Sequence, residues 1–147
     1  MAAYIFAFSQ CFDSRGIGDF EGGNALNQFV TGTQGNGTLV ITSEDKHSGN
    51  QCLKATVSVA GVWQVRIYNT GTCYFDIFSG ESYTVSFYAK GEIGDAINVS
   101  IMNNTTVDQN KDVVIHSTNW QLYTATFEAG INSSTGRIKL IFKDEGT

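Results

Sequence analysis

Apolar residues recur along this chain in short runs, many of them at every second position, and clusters of Gly, Asn, Asp and Ser close the runs. Residues 38–42, 52–59, 62–68, 83–90, 97–102, 113–116, 120–128 and 137–143 read as strands, rich in β-branched and aromatic residues. Turn chemistry falls between them, at Gly35-Asn36-Gly37, Ser48-Gly49-Asn50, Asn69-Thr70-Gly71, Gly91 to Asp95 and Gly130 to Ser134. No run has the 3.6-residue period of an amphipathic helix. About eight to ten short strands in one domain predict an all-β sandwich or jelly roll of two antiparallel sheets. Residues 1–17 form an N-terminal extension with one strand-like run, Ala3 to Phe8, and residues 18–147 form the β-sandwich domain.

Alternation also assigns faces, because neighbouring side chains on a strand point to opposite sides. Tyr83, Val85, Phe87 and Ala89 form an inward row; so do Ile97, Val99 and Ile101, and Val65 with Ile67. Gln64, Arg66, Tyr68, Tyr88, Asn98 and Ser100 then point outward. If the three strands share a sheet, its outer face presents amide, guanidinium and phenol groups on a rigid support. Such groups recognise sugar hydroxyls, through planar donors and acceptors and through aromatic faces with a polar tip.

Composition narrows the choice. A net charge of -5 over 147 residues argues against a binder of nucleic-acid phosphates and fits a neutral ligand. No stretch approaches the roughly 20 apolar residues of a membrane helix, and Ala2 to Phe8 lacks the marks of a signal peptide. Three cysteines, Cys11, Cys52 and Cys73, allow one disulfide and a free thiol or three free thiols. None has metal-ligand spacing, and small buried apolar residues account for them. The two histidines, His47 and His116, lie far apart, and no nucleophile elbow, zinc-protease, P-loop or dinucleotide fingerprint is present. No carboxylate falls among the outward residues, so no glycosidase acid pair is nominated.

Five segments then carry a resemblance: Gly18-Asp19-Phe20-Glu21-Gly22-Gly23, His47-Ser48-Gly49 running into Cys52 to Val57, Trp63 to Ile67, Gly80 to Gly91, and Trp120 to Phe127. In this order, spanning roughly Gly18 to Phe142, the chain resembles the carbohydrate-binding modules of the family 4, 9, 16 and 22 group. The resemblance implies a β-jelly roll, appended to a secreted polysaccharide-degrading enzyme, that binds xylan or β-glucan and leaves catalysis to a tethered glycoside hydrolase. It implies an extracellular or cell-surface location. It implies that Trp63 stacks on a sugar ring while Gln64 and Arg66 bond its hydroxyls; the bland reading is a Trp that completes the core. Trp120 matches a residue that packs structurally in many relatives, with Gln121 turned outward beside it. Asn103 and Asn104 lie in a loop from Met102 to Lys111 and supply donors, although Thr106 stands where xylan-binding relatives often carry an aromatic. Ile141 stands near a position where relatives carry a ligand-contacting His.

The resemblance further implies a structural calcium held by Asp19, Glu21, Glu44, Asp45 and the His47 carbonyl, an oxygen-rich set suited to a hard cation. The family's last strand, which supplies a further Asp, is not found after Gly146-Thr147; the run Ala3 to Phe8 is a candidate for its slot, and the alternatives are an excised piece whose final strand was cut off or an insertion within a larger enzyme. Two other classes stay open: a structural or adhesion β-sandwich without glycan affinity, and a small glycan hydrolase whose acids the pattern does not place.

Overall fold

A computed structural model describes residues 29–60, 65–69 and 73–144, together with the backbone of 2–5. Every regular element among them is a strand except a single 3-10 position at Cys73. In chain order they are β1 (Ala2–Ile5), β2 (Phe29–Gly32), β3 (Gly37–Thr42), β4 (Cys52–Val57), β5 (Arg66–Asn69), β6 (Phe75–Ile77), β7 (Ser82–Ala89), β8 (Ala96–Met102), β9 (Val107–Val114), β10 (Gln121–Glu128) and β11 (Ser133–Phe142).

All pairings are antiparallel. One sheet runs β2-β5-β11-β8-β9, with β6 joined to the early part of β11. The opposite side is built from β1-β4-β3 and the pair β10-β7, with β1 lying alongside β7. Between them lies one core. Leu53, Ala55 and Val57 of β4 and Val85, Phe87 and Ala89 of β7 meet Ile97, Val99 and Ile101 of β8, with Ile67, Leu140 and Phe142. The all-β jelly roll expected from the pattern is the fold observed.

The chain passes between the two layers through local turn chemistry. Thr33 and Asn36 close a tight turn through a 2.8 Å backbone bond, with positive φ at both central residues, Gln34 (46°) and Gly35 (78°). Glycine adopts that conformation without strain, and this is the physical content of the Gly-Asn-Gly signal.

Three expectations change. Strand β9 begins at Val107, so the expected Met102–Lys111 loop shrinks to a turn over residues 103–106. Its polar sequence concealed it because β9 is an edge strand with most side chains exposed, leaving no apolar period to read. Strand β7 pairs with β10 and not with β5 or β8, so Tyr88 lies on the sheet opposite Arg66 and Asn98. Gln121 sits opposite Ala89 on the core-facing parity of Tyr123, Ala125 and Phe127, exposed where β10 starts, and not on the outward parity assigned to it. Alternation fixes which side of its own strand a residue takes; it carries no information on which strands become neighbours. In the extension, strand structure covers Ala2–Ile5, paired to β4 in the register Ala2↔Thr56 to Ile5↔Leu53. Residues 6–8 of that run lie outside the described residues.

Candidate functional site

The outer face of the six-stranded sheet gathers the polar residues. Register places Gly32, Arg66, Ile141, Asn98 and Asp112 in one row across the strands, and Val30, Tyr68, Lys139, Ser100 and Asn110 in the next. Arg137 and Met102 begin a third. Directly opposed side chains in such rows stand about 5 Å apart, close enough to interact.

One end of this face is ordered by a guanidinium. The Arg137 carbon Cζ lies 5.0 Å from the Tyr68 ring centre and 4.9 Å from that of Tyr74. Its Nη2 donates to the Tyr74 hydroxyl at 2.6 Å, and that hydroxyl donates to Asn104 Oδ1 at 2.8 Å. The Arg137 Nε–H is buried and makes no hydrogen bond among the described residues. Contact with two rings removes much of the rotamer freedom an arginine otherwise keeps. One face of the Tyr68 ring is thereby occupied by Arg137 and not open to a sugar.

The other end is an amide–carboxylate network. Asn98, only 7% exposed, donates through Nδ2 to Asn110 Oδ1 at 3.2 Å and Asp112 Oδ1 at 2.7 Å. Its Oδ1 accepts from Ser100 Oγ at 3.0 Å. Asn98 thus spends its donors holding β9 to β8. Lys143 Nζ binds both Asp112 oxygens, at 2.8 and 2.9 Å. These hydrogen bonds, the Lys143 one foremost, hold the Asp112 carboxyl below its ordinary pKa. Between the two ends lies Lys139, whose pKa is lowered first by burial and then by the nearby charge of Arg66.

Other expected residues have different surroundings. Asn103 Oδ1 accepts from the backbone N–H groups of Thr105 (2.9 Å) and Thr106 (2.7 Å), so this side chain builds the β8–β9 turn. Asn104 joins the face through Tyr74. Tyr88 stacks on the His47 ring with centroids 3.8 Å apart, and Trp120 meets the same ring edge-on at 5.8 Å. Lys90 lies over Trp120 and pairs with Asp45. Trp120 therefore packs within an aromatic cluster on the β7–β10 side. Trp63 and Gln64 lie outside the described residues.

Of the calcium set, Asp19 and Glu21 also lie outside the described residues. The Glu44 carboxylate is 3.9 Å from Lys54 Nζ, and Asp45 pairs with Lys90. Among the described residues no group of three or more His, Cys, Asp or Glu side chains is arranged to hold a metal ion. Cys52 and Cys73 are buried. Burial, with Asp45 adding to it, pushes the Cys52 thiol up to about 11, so it is inert at neutral pH.

Sequence reading missed Tyr74, Asn110, Asp112, Arg137 and Lys139. The signal for the last two was present: in Arg137-Ile138-Lys139-Leu140 two cations alternate with two aliphatics, which marks the cations as outward. Tyr74 has no such signal, because it reaches the face from outside the regular strands.

Solved structures share this fold. One, described as "CBM4 structure and function", matches with a TM-score of 0.57 at 14% identity, over 82% of this chain and 84% of that one. The CBM22-1 xylan-binding domain of Xyn10C from Paenibacillus barcinonensis matches at 0.55 and 14%, over 87% and 92%. The CBM22-1-GH10 modules of the Clostridium thermocellum endo-1,4-beta-D-xylanase 10B, complexed with xylohexaose, match at 0.52 and 15%, over 81% of this chain and 24% of that one. No curated protein matches the sequence. The family model described as "Carbohydrate binding domain", covering families 4 and 9, matches residues 17–146. The chain is a member of this carbohydrate-binding domain family.

Proposed function

We propose that this domain binds a plant cell-wall β-polysaccharide, xylan or a β-glucan, without cleaving it, and holds an attached glycoside hydrolase on that substrate outside the cell. The observation that carries this reading is the outer face of the six-stranded sheet, where Arg66, Tyr68, Arg137 and Lys139 stand in register on three adjacent rows. An array of donors carried on a sheet suits an extended polymer. Each sugar contributes a little affinity, and tethering converts it into a high local concentration for the attached catalyst. A fold shared with a xylan-binding domain and with a module solved beside a xylanase supports the same reading.

Trp63 and Gln64, two and one residues before Val65 and so adjoining β5, are proposed to add a stacking platform to this face. A structural calcium held by Asp19, Glu21, Glu44 and the His47 carbonyl belongs to the same proposal. Its test is the melting temperature with and without a chelator, which should fall on chelation.

Native electrophoresis through gels containing xylan, β-glucan or no polysaccharide tests the function. Selective retardation in one polysaccharide gel is expected, and Trp63→Ala should abolish it with the circular dichroism spectrum unchanged. Equal mobility in every gel would reject glycan binding. Release of reducing sugar by the purified chain would reject the non-catalytic role.

A further inference from the structure

Charge on the proposed binding face runs against the charge of the whole protein. The chain carries a net charge of -5. Yet the described rows across β2, β5, β11, β8 and β9 hold three cations, Arg66, Arg137 and Lys139, against one carboxylate, Asp112. That carboxylate is taken by Lys143 and Asn98. Arg137 and Lys139 are two residues apart on β11, a spacing of about 7 Å. Arg66 stands diagonally across from Lys139, in the next row of β5. The described polar contact of the Arg137 guanidinium is a neutral phenol, flanked by two rings. No described carboxylate lies within ion-pair distance of Lys139 or Arg137.

Like charges gathered on a partly buried sheet face cost stability unless something compensates them. The lowered pKa of Lys139, through burial and then Arg66, is that cost expressed at one residue. A neutral sugar offers such a group hydroxyl acceptors but no counter-charge. A sugar carboxylate offers both, and a guanidinium binds it through two parallel donors.

We propose that the glycan bound on this face is acidic, carrying uronate carboxylates, and that Lys139 with Arg66 and Arg137 selects them. This rests on the reading of the face as a glycan-binding surface. Neighbouring cations along β11 and across to β5 form a strip that follows an extended chain, with Tyr68 and Tyr74 fixing the position of Arg137.

The test compares glucuronoxylan with the same polymer after its carboxyl groups are reduced to primary alcohols. The backbone is unchanged and only the charge is lost. The expected result is about tenfold weaker binding to the reduced polymer, with Lys139→Met losing a larger factor on the acidic polymer than on the reduced one; an equal loss on both would overturn the charge selectivity. Equal binding to both polymers would overturn the acidic selectivity and leave glycan binding standing. No binding to either would overturn both. Binding of a short single-stranded oligonucleotide more tightly than glucuronoxylan would also overturn the inference, by reassigning the strip to phosphates. Circular dichroism of Lys139→Met, which alters no core residue, verifies that the variant is folded.

Discussion

Lys139 and Asn69 show how differently two polar residues on neighbouring strands behave. Asn69 is only 1% exposed and inward on β5, yet it is satisfied: Nδ2 donates to the Cys73 carbonyl at 2.7 Å and the Gly136 carbonyl at 3.4 Å, and Oδ1 accepts from the Ile138 N–H at 2.8 Å. It ties β5 to β11 and to the approach of β6. Asn69→Ala would orphan a buried N–H and two carbonyls, and a loss of about 2–4 kcal/mol is expected in denaturant unfolding. Lys139 is the reverse case, a cation whose folded-state pKa lies below its ordinary 10.5. The unfolded chain then binds the proton more tightly, so the charge costs stability at neutral pH, and the cost fades as pH rises from the folded pKa towards the unfolded one. Lys139→Met is therefore expected to stabilise the unliganded protein by up to about 1 kcal/mol, about 2–4 °C in Tm, with the gain shrinking in alkaline buffer. Thermal melts at neutral and alkaline pH check this. A variant less stable than the parent at neutral pH would contradict it. A residue that weakens binding and strengthens the fold when neutralised is one kept for its ligand.

At the scale of elements, β11 is the organising strand. It pairs with β5 and β8 along its second half and with β6 along its first, with a register shift between Ser133 and Gly136. Gly136 lies where this change occurs. A Cβ there would land against the Phe75 carbonyl oxygen and 2.9 Å from Ile77 Cγ1, so only glycine lets β6 approach. Strand β1 occupies a different kind of position, between β4 and β7. Without it β4 would present an open edge. Deletion of residues 1–5 is expected to speed hydrogen exchange at those amides of Leu53 to Thr56 that point towards β1, while those pointing towards β3 stay protected. Unchanged exchange at both sets would mean that β1 is not paired in solution.

For the whole molecule, the single core couples the two sheets. Phe87 and Phe142 are among the largest fully buried side chains, one from each sheet, and Phe87 also stacks near Tyr123 at 6.1 Å. Phe87→Ala is expected to cost about 3–5 kcal/mol. Because the core is shared, backbone and aromatic circular dichroism should lose their signals in one coincident transition. Two separate transitions would mean that the sheets unfold independently.

The strands with strong apolar alternation were legible in the sequence: β3, β4, β7, β8 and β10 fall within two residues of where the pattern puts them, and β11 does so at its second half, although it starts at Ser133, inside the segment read as a turn. Burial of one face imposes a period of two on the residues themselves. Strands β2 and β6 are four and three residues long, too short to show a period, and β9 hides its strand nature in polar residues at an edge. Arg66, Tyr68 and Asn98 could be called outward for the same reason of period, and they do share one face. That Tyr88 leaves this face for a stack on His47, while Arg137, Lys139, Tyr74 and Asp112 join it, was decided only by which strands became neighbours. Strand pairing is a matter of contacts between residues distant in sequence, chosen by packing and hydrogen bonding in the assembled sandwich. The sequence by itself determined the all-β class, the inward rows and the family. The tertiary structure decided the composition and charge of the face, because a row across a sheet exists only once its strands have found their partners.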